Sequence, residues 1–208
     1  MQQKQGFEME KIDKLIKKVD KYTKKSVKKS RYEHSVRVAQ MCSQLCKKFG
    51  MDEKIGYLAG IGHDMCKEIN YKKMIKLASK YDCPIMEFEL KKPSLLHGRA
   101  AAVMMKKKFK IENHEILEAV AFHTTGTLNM CDLTKCLFLA DKIEPGRPQS
   151  TEEYRENLLK LDLPSLFLSV LNENYEYLIK NGIEIDNNTN EIVKFYCNFL
   201  QYLLLYNL

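Results

Sequence analysis

The chain of 208 residues contains no tryptophan and no run of 18 apolar residues. A helix needs about 20 consecutive apolar residues to cross a bilayer, so the sequence predicts no membrane span. Residues Met1 to Lys11 lack the apolar core of a signal peptide, and we therefore expect a cytoplasmic protein. The length fits one domain or at most two, and the 45% apolar content is ordinary for a globular chain.

The cysteines are not spaced along the chain as in a cysteine metal site. Seven cysteines occur, an odd number, and no two of them form a C-x-x-C motif. Cys42 and Cys46 lie one helical turn apart, which is poor geometry for a disulfide but normal for a buried helix face. We expect reduced thiols that pack as small hydrophobic side chains, and no cysteine zinc site.

Arginine is scarce, so the formal net charge of +7 comes almost wholly from lysine. The lysines are spread along the chain apart from a cluster between Lys11 and Lys29. This cluster is interpreted as the solvated face of a helix, with attraction of nucleic acid or another polyanion as the alternative. The chain also lacks a Gly-rich phosphate loop of the P-loop or Rossmann kind, which argues against nucleotidyl transfer.

Strand signals are nearly absent, and the sequence predicts an all-α protein. Apolar residues at helical spacing indicate a first helix from about Glu8 to Lys25. Capping patterns predict the starts of five later helices at Ser30, Asp52, Asn113, Asp132 and Ser150. Further helices are expected at 71–80, from Pro93 through His97, at 164–181 and at 190–206.

Four of the five histidines fall in one ordered series with two aspartates. The series is His34, the pair His63-Asp64, His97, His123 and Asp141, and its intervals of 18 to 33 residues each fit one helix plus a connection. A helical bundle can bring such residues around one cavity. Imidazole with carboxylate suits iron, manganese or zinc better than magnesium. A lone histidine on an apolar face is more often a core residue, but this series predicts a metal site for phosphate chemistry.

The motifs around this series resemble the HD-domain metallohydrolase superfamily, whose order is H…HD…D. The segments RYEHSVRVA, GIGHDMCK, PSLLHGRAAA, AFHTTGTLNM and FLADKIEPGR resemble successive motifs of its YqeK-type branch. Members of that branch are symmetrical diadenosine tetraphosphate hydrolases. The resemblance is close from Arg31 to Arg147 and looser over YEYLIKNGIEID, and HTTG and ADKIEPGR are its most specific motifs.

The resemblance implies roles for ten positions of this chain. His34, His63, Asp64 and Asp141 match primary iron ligands, in a site with one or two metals, while manganese and zinc remain alternatives. His97 and His123 match residues that complete a second metal position or contact phosphate. The positions implied to face the polyphosphate are Arg31, Lys67, Thr124 and Arg147, and Asp64 and Lys67 are the implied catalytic residues.

Structural roles for some of these residues stay open at this point. Arg31 and Lys67 fit surface positions, and Gly126 beside Thr124 fits a helix C-cap. Arg147 fits a salt bridge with Glu144 or an interface contact. One departure from the family is Arg99, where a small residue is more usual after HG, so this side chain either crowds the site or adds a phosphate contact. His114 lies outside every motif and is predicted to be at the surface.

The residue types suit phosphate hydrolysis in their own right, because a bound metal lowers the pKa of water toward about 7 and cationic side chains stabilise the charge of a phosphoryl group. We therefore predict a metal-dependent hydrolase that uses metal-activated water to cleave diadenosine tetraphosphate into two ADP. The alternatives are another HD-type nucleotidase or phosphodiesterase, or a non-catalytic nucleotide or RNA sensor. A cyclic-dinucleotide esterase is disfavoured because no GYP signature follows the HD pair.

The ends of the chain carry two further predictions. Residues 1–29 are expected to form a helix packed on a single HD-type phosphohydrolase domain of 30–208. The aromatic and leucine-rich tail FLQYLLLYNL suggests a homodimer. Beyond the nucleotide substrate we expect no membrane partner and no nucleic acid partner, and we place the base preference in the segment Ile183 to Thr189.

Overall fold

The protein, described from a computed structural model, is seen over residues 2–185 and 189–197, with side chains from residue 11 onward. Within these residues it contains helices and connecting turns but no strand, so the prediction of an all-α fold is confirmed. The helices are α1 (Gln2–Ser26), α2 (Lys29–Lys48), α3 (Glu53–Gly62), α4 (Tyr71–Ala78), α5 (Glu87–Lys91), α6 (His97–Phe109), α7 (His114–Phe122), α8 (Asp132–Ile143), α9 (Glu152–Leu158), α10 (Leu163–Lys180) and α11 (189–197). None of the helices in the described part of the chain is both long and apolar enough to span a membrane.

Two of the five predicted helix starts are confirmed. The Asp52 carboxylate accepts hydrogen bonds from the amides of Lys54 and Ile55 at the start of α3, and the Asn113 side chain accepts one from the amide of Ile116 at the start of α7. These contacts satisfy amides that a helix N-terminus leaves without a partner.

The other three starts are corrected. The N-cap residue of α2 is Lys28, two residues before the predicted Ser30, and its amide donates to Glu68 Oε2 at 3.0 Å. The N-cap residues of α8 and α9 are Cys131 and Thr151, each one residue away from the predicted position. α1 begins at Gln2 rather than Glu8. The tail FLQYLLLYNL lies outside the described residues, and the homodimer stays a prediction.

The core is formed by the buried faces of all the long helices. α1 packs against α3 and α6, α2 against α3 and α8, α7 against α6 and α8, and α10 against α8. The largest fully buried side chains include Leu45, Leu58, Met74, Phe138 and Phe167. The seven cysteines are free thiols, as predicted, and Cys42, Cys46, Cys66 and Cys136 are buried.

Two glycines allow the close helix contacts that bring the histidine-bearing segments together. A Cβ atom on Gly60 of α3 would lie 2.5 Å from the Cα of Ala39 in α2, and one on Gly98 of α6 would lie 2.7 Å from the carbonyl oxygens of Val120 and Ala121 in α7. Real Cβ atoms do not approach so closely, so only glycine permits these contacts.

Candidate metal centre

Five segments of the chain contribute side chains to one cluster of imidazoles and carboxylates. His34 lies in the second turn of α2, His63 and Asp64 directly follow α3, and His97 is the first residue of α6. His123 directly follows α7, and Asp141 lies in the last turn of α8. All six side chains are buried. The structure therefore brings together every member of the series found in the sequence, although its members are up to 107 residues apart (34 to 141).

Every histidine of the cluster has its Nδ1 atom occupied by an oxygen acceptor. His63 Nδ1 donates to Gly60 O at 2.6 Å, His97 Nδ1 to Ser94 O at 2.6 Å, and His123 Nδ1 to Val120 O at 2.8 Å. His34 Nδ1 lies 3.1 Å from the carboxylate of Glu144. Since these oxygens only accept hydrogen bonds, each Nδ1 carries the proton, and in the neutral ring Nε2 keeps a lone pair.

The four Nε2 lone pairs converge on the two aspartates. His34 Nε2 lies 3.1 Å from Asp141 Oδ1 and 3.8 Å from Asp64 Oδ2, and His63 Nε2 lies 3.5 Å from Asp64 Oδ2. His97 Nε2 lies 3.0 Å both from Asp64 Oδ1 and from His123 Nε2. Lone pairs this close repel one another unless a cation or a proton lies between them.

Hydrogen bonding indicates that a cation belongs in this cluster. Among the described residues, four buried side-chain polar atoms have no hydrogen-bond partner, and three of them are His34 Nε2, His63 Nε2 and Asp64 Oδ1. Buried polar atoms are otherwise almost always paired. The groups His34–His63–Asp141 and His63–Asp64–His123 each place their ligand atoms within 4.8 Å of one another. Side chains of this kind in this arrangement can hold a metal ion.

The protonation states of the cluster suit metal binding. Burial lowers the pKa of His63 and lowers that of His123 well below its ordinary value, because the charged imidazolium loses its hydration. Burial opposes ionisation of Asp64 and Asp141. The histidines around Asp64 nevertheless hold its pKa well below the usual range, and Lys142, the neighbouring histidines and Arg147 do the same for Asp141. Neutral imidazoles and ionised carboxylates are the forms that bind metals.

Four cationic side chains surround the cluster on its solvent side. Arg31 Nη1 donates to Asp64 Oδ2 at 3.0 Å, and Arg147 Nη2 donates to Asp141 Oδ1 at 2.6 Å. Lys67 Nζ lies 3.2 Å from His97 Nε2, and burial lowers the pKa of this amine. Lys142, which sequence reasoning missed, donates from Nζ to Asp141 Oδ2 at 2.9 Å. Arg31 is therefore more than a surface residue, and the side chain of Arg147 pairs with Asp141 rather than with Glu144.

Thr124 also reaches the cluster, whereas Arg99 and His114 do not. Thr124 Oγ1 lies 3.0 Å from His123 Nε2 and 3.3 Å from His97 Nε2. Arg99 turns away from the site, donates to Pro84 O at 2.9 Å and pairs with Glu89, so neither role suggested for it in the site holds. His114 is exposed at the start of α7, as predicted.

Glu144 is a residue of this centre that sequence reasoning did not assign to it. Its buried carboxylate accepts from His34 Nδ1, from Arg37 and from the amide of Gly146. Burial opposes its ionisation, but the hydrogen bonds from Arg37 and His34 leave the pKa of Glu144 below its ordinary value. The available signal was the position of Glu144 three residues after Asp141, in the FLADKIEPGR motif.

Two cavities lie beside the cluster and share the side chains of Lys142 and Asn174. The α9–α10 cavity, of about 630 Å³, includes Arg147, Gln149, Tyr154, Glu173 and Tyr177 in its lining. The α10–α11 cavity, of about 230 Å³, includes Thr124, Phe138, Leu178, Ile183 and Thr189. Arg147 therefore connects the first cavity to Asp141, and Thr124 connects the second to His123.

Comparison with known proteins agrees with this geometry. Residues 31–146 match the HD domain family. The symmetrical bis(5'-nucleosyl)-tetraphosphatase of Staphylococcus aureus is 29% identical, over 87% of this chain and 94% of that protein. The corresponding protein of Halalkalibacterium halodurans is 31% identical, over 76% and 84% of the two chains. A crystal structure from Clostridium acetobutylicum, described as a predicted HD superfamily hydrolase involved in NAD metabolism, shares 27% identity and a TM-score of 0.79 over 88% of this chain and 96% of that one.

Proposed function

This chain belongs to the HD domain family, and on that premise we propose that it is a metal-dependent hydrolase that cleaves diadenosine tetraphosphate symmetrically into two ADP. The observation that supports this most directly is the convergence of four imidazole lone pairs and two carboxylates beneath a cationic surface. The relatives from S. aureus and H. halodurans, which carry the name of this activity, support the choice of substrate.

We propose His34, His63, Asp64 and Asp141 as the metal ligands, because three of them contain buried polar atoms without a partner among the described residues. His97 and His123 are proposed to complete a second metal position or to contact phosphate. When bound, the metal supplies Lewis acidity, which lowers the pKa of water and polarises a phosphoryl oxygen. Glu144 and the backbone carbonyls at Nδ1 keep the ligand rings oriented.

Iron is the proposed metal. A donor set of imidazoles with a minority of carboxylates suits iron, manganese or zinc rather than magnesium, which prefers oxygen ligands and water. The two overlapping ligand groups, which share His63, are compatible with one ion or with two. Metal analysis of the purified protein distinguishes these cases as about one or two equivalents per chain.

The cationic side chains are proposed to bind the phosphates. Arg147 and Arg31 each use part of a guanidinium to hold a carboxylate of the cluster, and a guanidinium has five N–H groups, so each can also donate to phosphate. Lys67, buried beside His97, and the Thr124 hydroxyl lie where a central phosphate would meet the metal site. These groups stabilise the charge that spreads over the phosphoryl oxygens during transfer.

The overall reaction consumes one water per substrate. The bond that breaks joins one central phosphorus to the bridging oxygen between the second and third phosphates. Water adds a hydroxyl group to that phosphorus, and the bridging oxygen leaves with the other half as ADP. The remaining proton passes to the leaving oxygen or to solvent. Because the broken bond is at the centre of the substrate, both products are ADP. We propose that one nucleoside lies in the α10–α11 cavity, which includes Ile183 and Thr189 of the segment predicted to read the base.

Incubation of the metal-analysed protein with diadenosine tetraphosphate, followed by anion-exchange separation of the products, tests this function. We expect two ADP per substrate, and a loss of at least 100-fold in kcat for Asp64→Ala, because it removes a proposed metal ligand. Asp82→Ala removes an exposed aspartate elsewhere and should retain full activity.

Other outcomes of the same experiment lead elsewhere. ATP plus AMP would contradict symmetrical cleavage while keeping the reaction class. Absence of turnover with iron and with manganese would contradict the hydrolase, and a steep salt dependence of RNA binding in that case would point to the sensor alternative.

A further inference from the structure

The α9–α10 cavity has chemistry that the metal centre does not use. Its volume of about 630 Å³ lies in the range of small-molecule sites. Its lining residues include two tyrosines, Tyr154 and Tyr177, together with Glu173, Gln149 and Asn174. Aromatic faces stack on bases, and carboxylates and amides bind ribose hydroxyls and base edges.

The position of this cavity relative to the cluster is as informative as its lining. Lys142 lines both cavities, and its ammonium lies 2.9 Å from Asp141 Oδ2. Arg147 lines the α9–α10 cavity alone, while Thr124 lines the α10–α11 cavity alone. A ligand with a polyanionic centre and two ends can therefore place its centre at the cluster and one end in each cavity.

Such an arrangement suits symmetrical cleavage. In a dinucleoside tetraphosphate the two nucleosides are equally far from the central bridging oxygen, two phosphates away on opposite sides. If that oxygen lies at the metal centre, both nucleosides must leave the centre in different directions. The α10–α11 cavity, of about 230 Å³, offers room for one of them only.

We infer that the α9–α10 cavity binds the second nucleoside of the substrate, with Tyr154 and Tyr177 beside the base and Arg147 with Lys142 on the adjoining phosphates. This inference rests on the proposed function and adds a second subsite to it. Tyr177 is 60% exposed, so its ring is accessible to a base. The hydroxyl of Tyr154 donates to Glu173, which fixes that ring at the cavity wall. When both nucleosides are bound, the bond that lies at the metal site is the central one rather than an outer one.

Kinetics with two substrates tests the subsite. Tyr177→Ala should lower kcat/KM for diadenosine tetraphosphate about tenfold, mainly through KM, since a stacking partner of one base is lost. The same variant should hydrolyse adenosine 5'-tetraphosphate, which has one nucleoside, as well as the wild type does. Tyr71→Ala removes a tyrosine of similar exposure (54%) on α4 and should change neither substrate.

Equilibrium binding of the product provides a readout that does not depend on turnover. Calorimetric titration of the metal-loaded wild type with ADP should give two ADP per chain, and Tyr177→Ala should weaken one of the two sites about tenfold. A single ADP per chain, or an equal loss on both substrates, or no loss on either, would overturn the second subsite while leaving the hydrolase in place. Absence of diadenosine tetraphosphate turnover by the wild type would instead overturn the proposed function, and the subsite with it.

Discussion

At the scale of single residues, Glu144 connects a ligand of the proposed metal site to the rest of the protein. Its carboxylate holds His34 Nδ1 at 3.1 Å and is itself held by Arg37 and the amide of Gly146. A carboxylate behind a ligating histidine fixes the ring tautomer and increases the basicity of the nitrogen that faces the metal. Glu144 is therefore a positioning residue for His34, at the end of α8 that also carries Asp141.

We expect Glu144→Ala to lower metal affinity by about 10- to 100-fold, which is the usual cost of removing such a partner. The measurement is a competition titration against a chelator of known affinity, read as retained metal per chain. Glu152→Ala, which removes an exposed glutamate from the first turn of α9, is the matched control and should leave the affinity unchanged. Equal affinities of the Glu144→Ala protein and the control would show that His34 needs no such support.

The sequence allowed some residues of the centre to be identified and not others. The six histidines and aspartates were found because two ligand types recurred in order, at helix-sized intervals. Glu144 has no such pattern, since its contact with His34 joins residues 110 positions apart and depends on how α2 packs on α8. Arg99 was misassigned for a related reason, because its position two residues after His97 says nothing about the carbonyl of Pro84 and the carboxylate of Glu89 that bind it.

At the scale of helices, Gly98 sets the distance between the two helices that bring His97 and His123 together. We expect Gly98→Ala to destabilise the fold by about 1–3 kcal/mol, because the added methyl group would overlap the carbonyl oxygens of Val120 and Ala121. The change should also separate the two imidazoles, so that less metal is retained. Lys107→Ala on the exposed face of the same helix is the control and should unfold at the wild-type urea concentration.

Urea unfolding followed by circular dichroism, together with metal analysis, measures both effects. Wild-type stability in the Gly98→Ala protein would mean that α6 and α7 separate without penalty. Loss of stability with full metal retention would mean that the glycine serves packing alone.

The helices themselves were largely predictable, and their ends less so. Apolar spacing and polar caps gave the positions of α3, α7 and α10, where local side chains satisfy the terminal amides, as Asp52 and Asn113 do. The start of α2 was misplaced because its amide partner, Glu68, comes from 40 residues away. Local signals identify a helix end only when the hydrogen bonds there are local too.

At the scale of the whole molecule, the proposed metal joins segments that are distant in the chain. α2, α3, α6, α7 and α8 each contribute a side chain to the cluster or carry one at their ends. Without a cation, the lone pairs of His97 and His123 face each other at 3.0 Å, and two ionised aspartates lie beside them. The folded state alone assembles this site, so a metal that binds there stabilises folding by mass action.

Removal of the metal should therefore lower the melting temperature without abolishing the helical fold, because Arg31, Lys142 and Arg147 remain to neutralise the carboxylates. Free metal at about 100 times its Kd stabilises the folded state by about 2.7 kcal/mol. For a chain of this size each kcal/mol corresponds to about 2–4 °C, so we expect chelation to lower Tm by about 5–10 °C. Differential scanning calorimetry of the metal-loaded and the chelated protein measures the shift. Asp64→Ala provides the control, because its Tm should be the same after metal loading and after chelation. Identical transitions for the loaded and chelated wild type would contradict a metal ion shared among these five helices, since a ligand held only by the folded state must raise the temperature at which that state is lost.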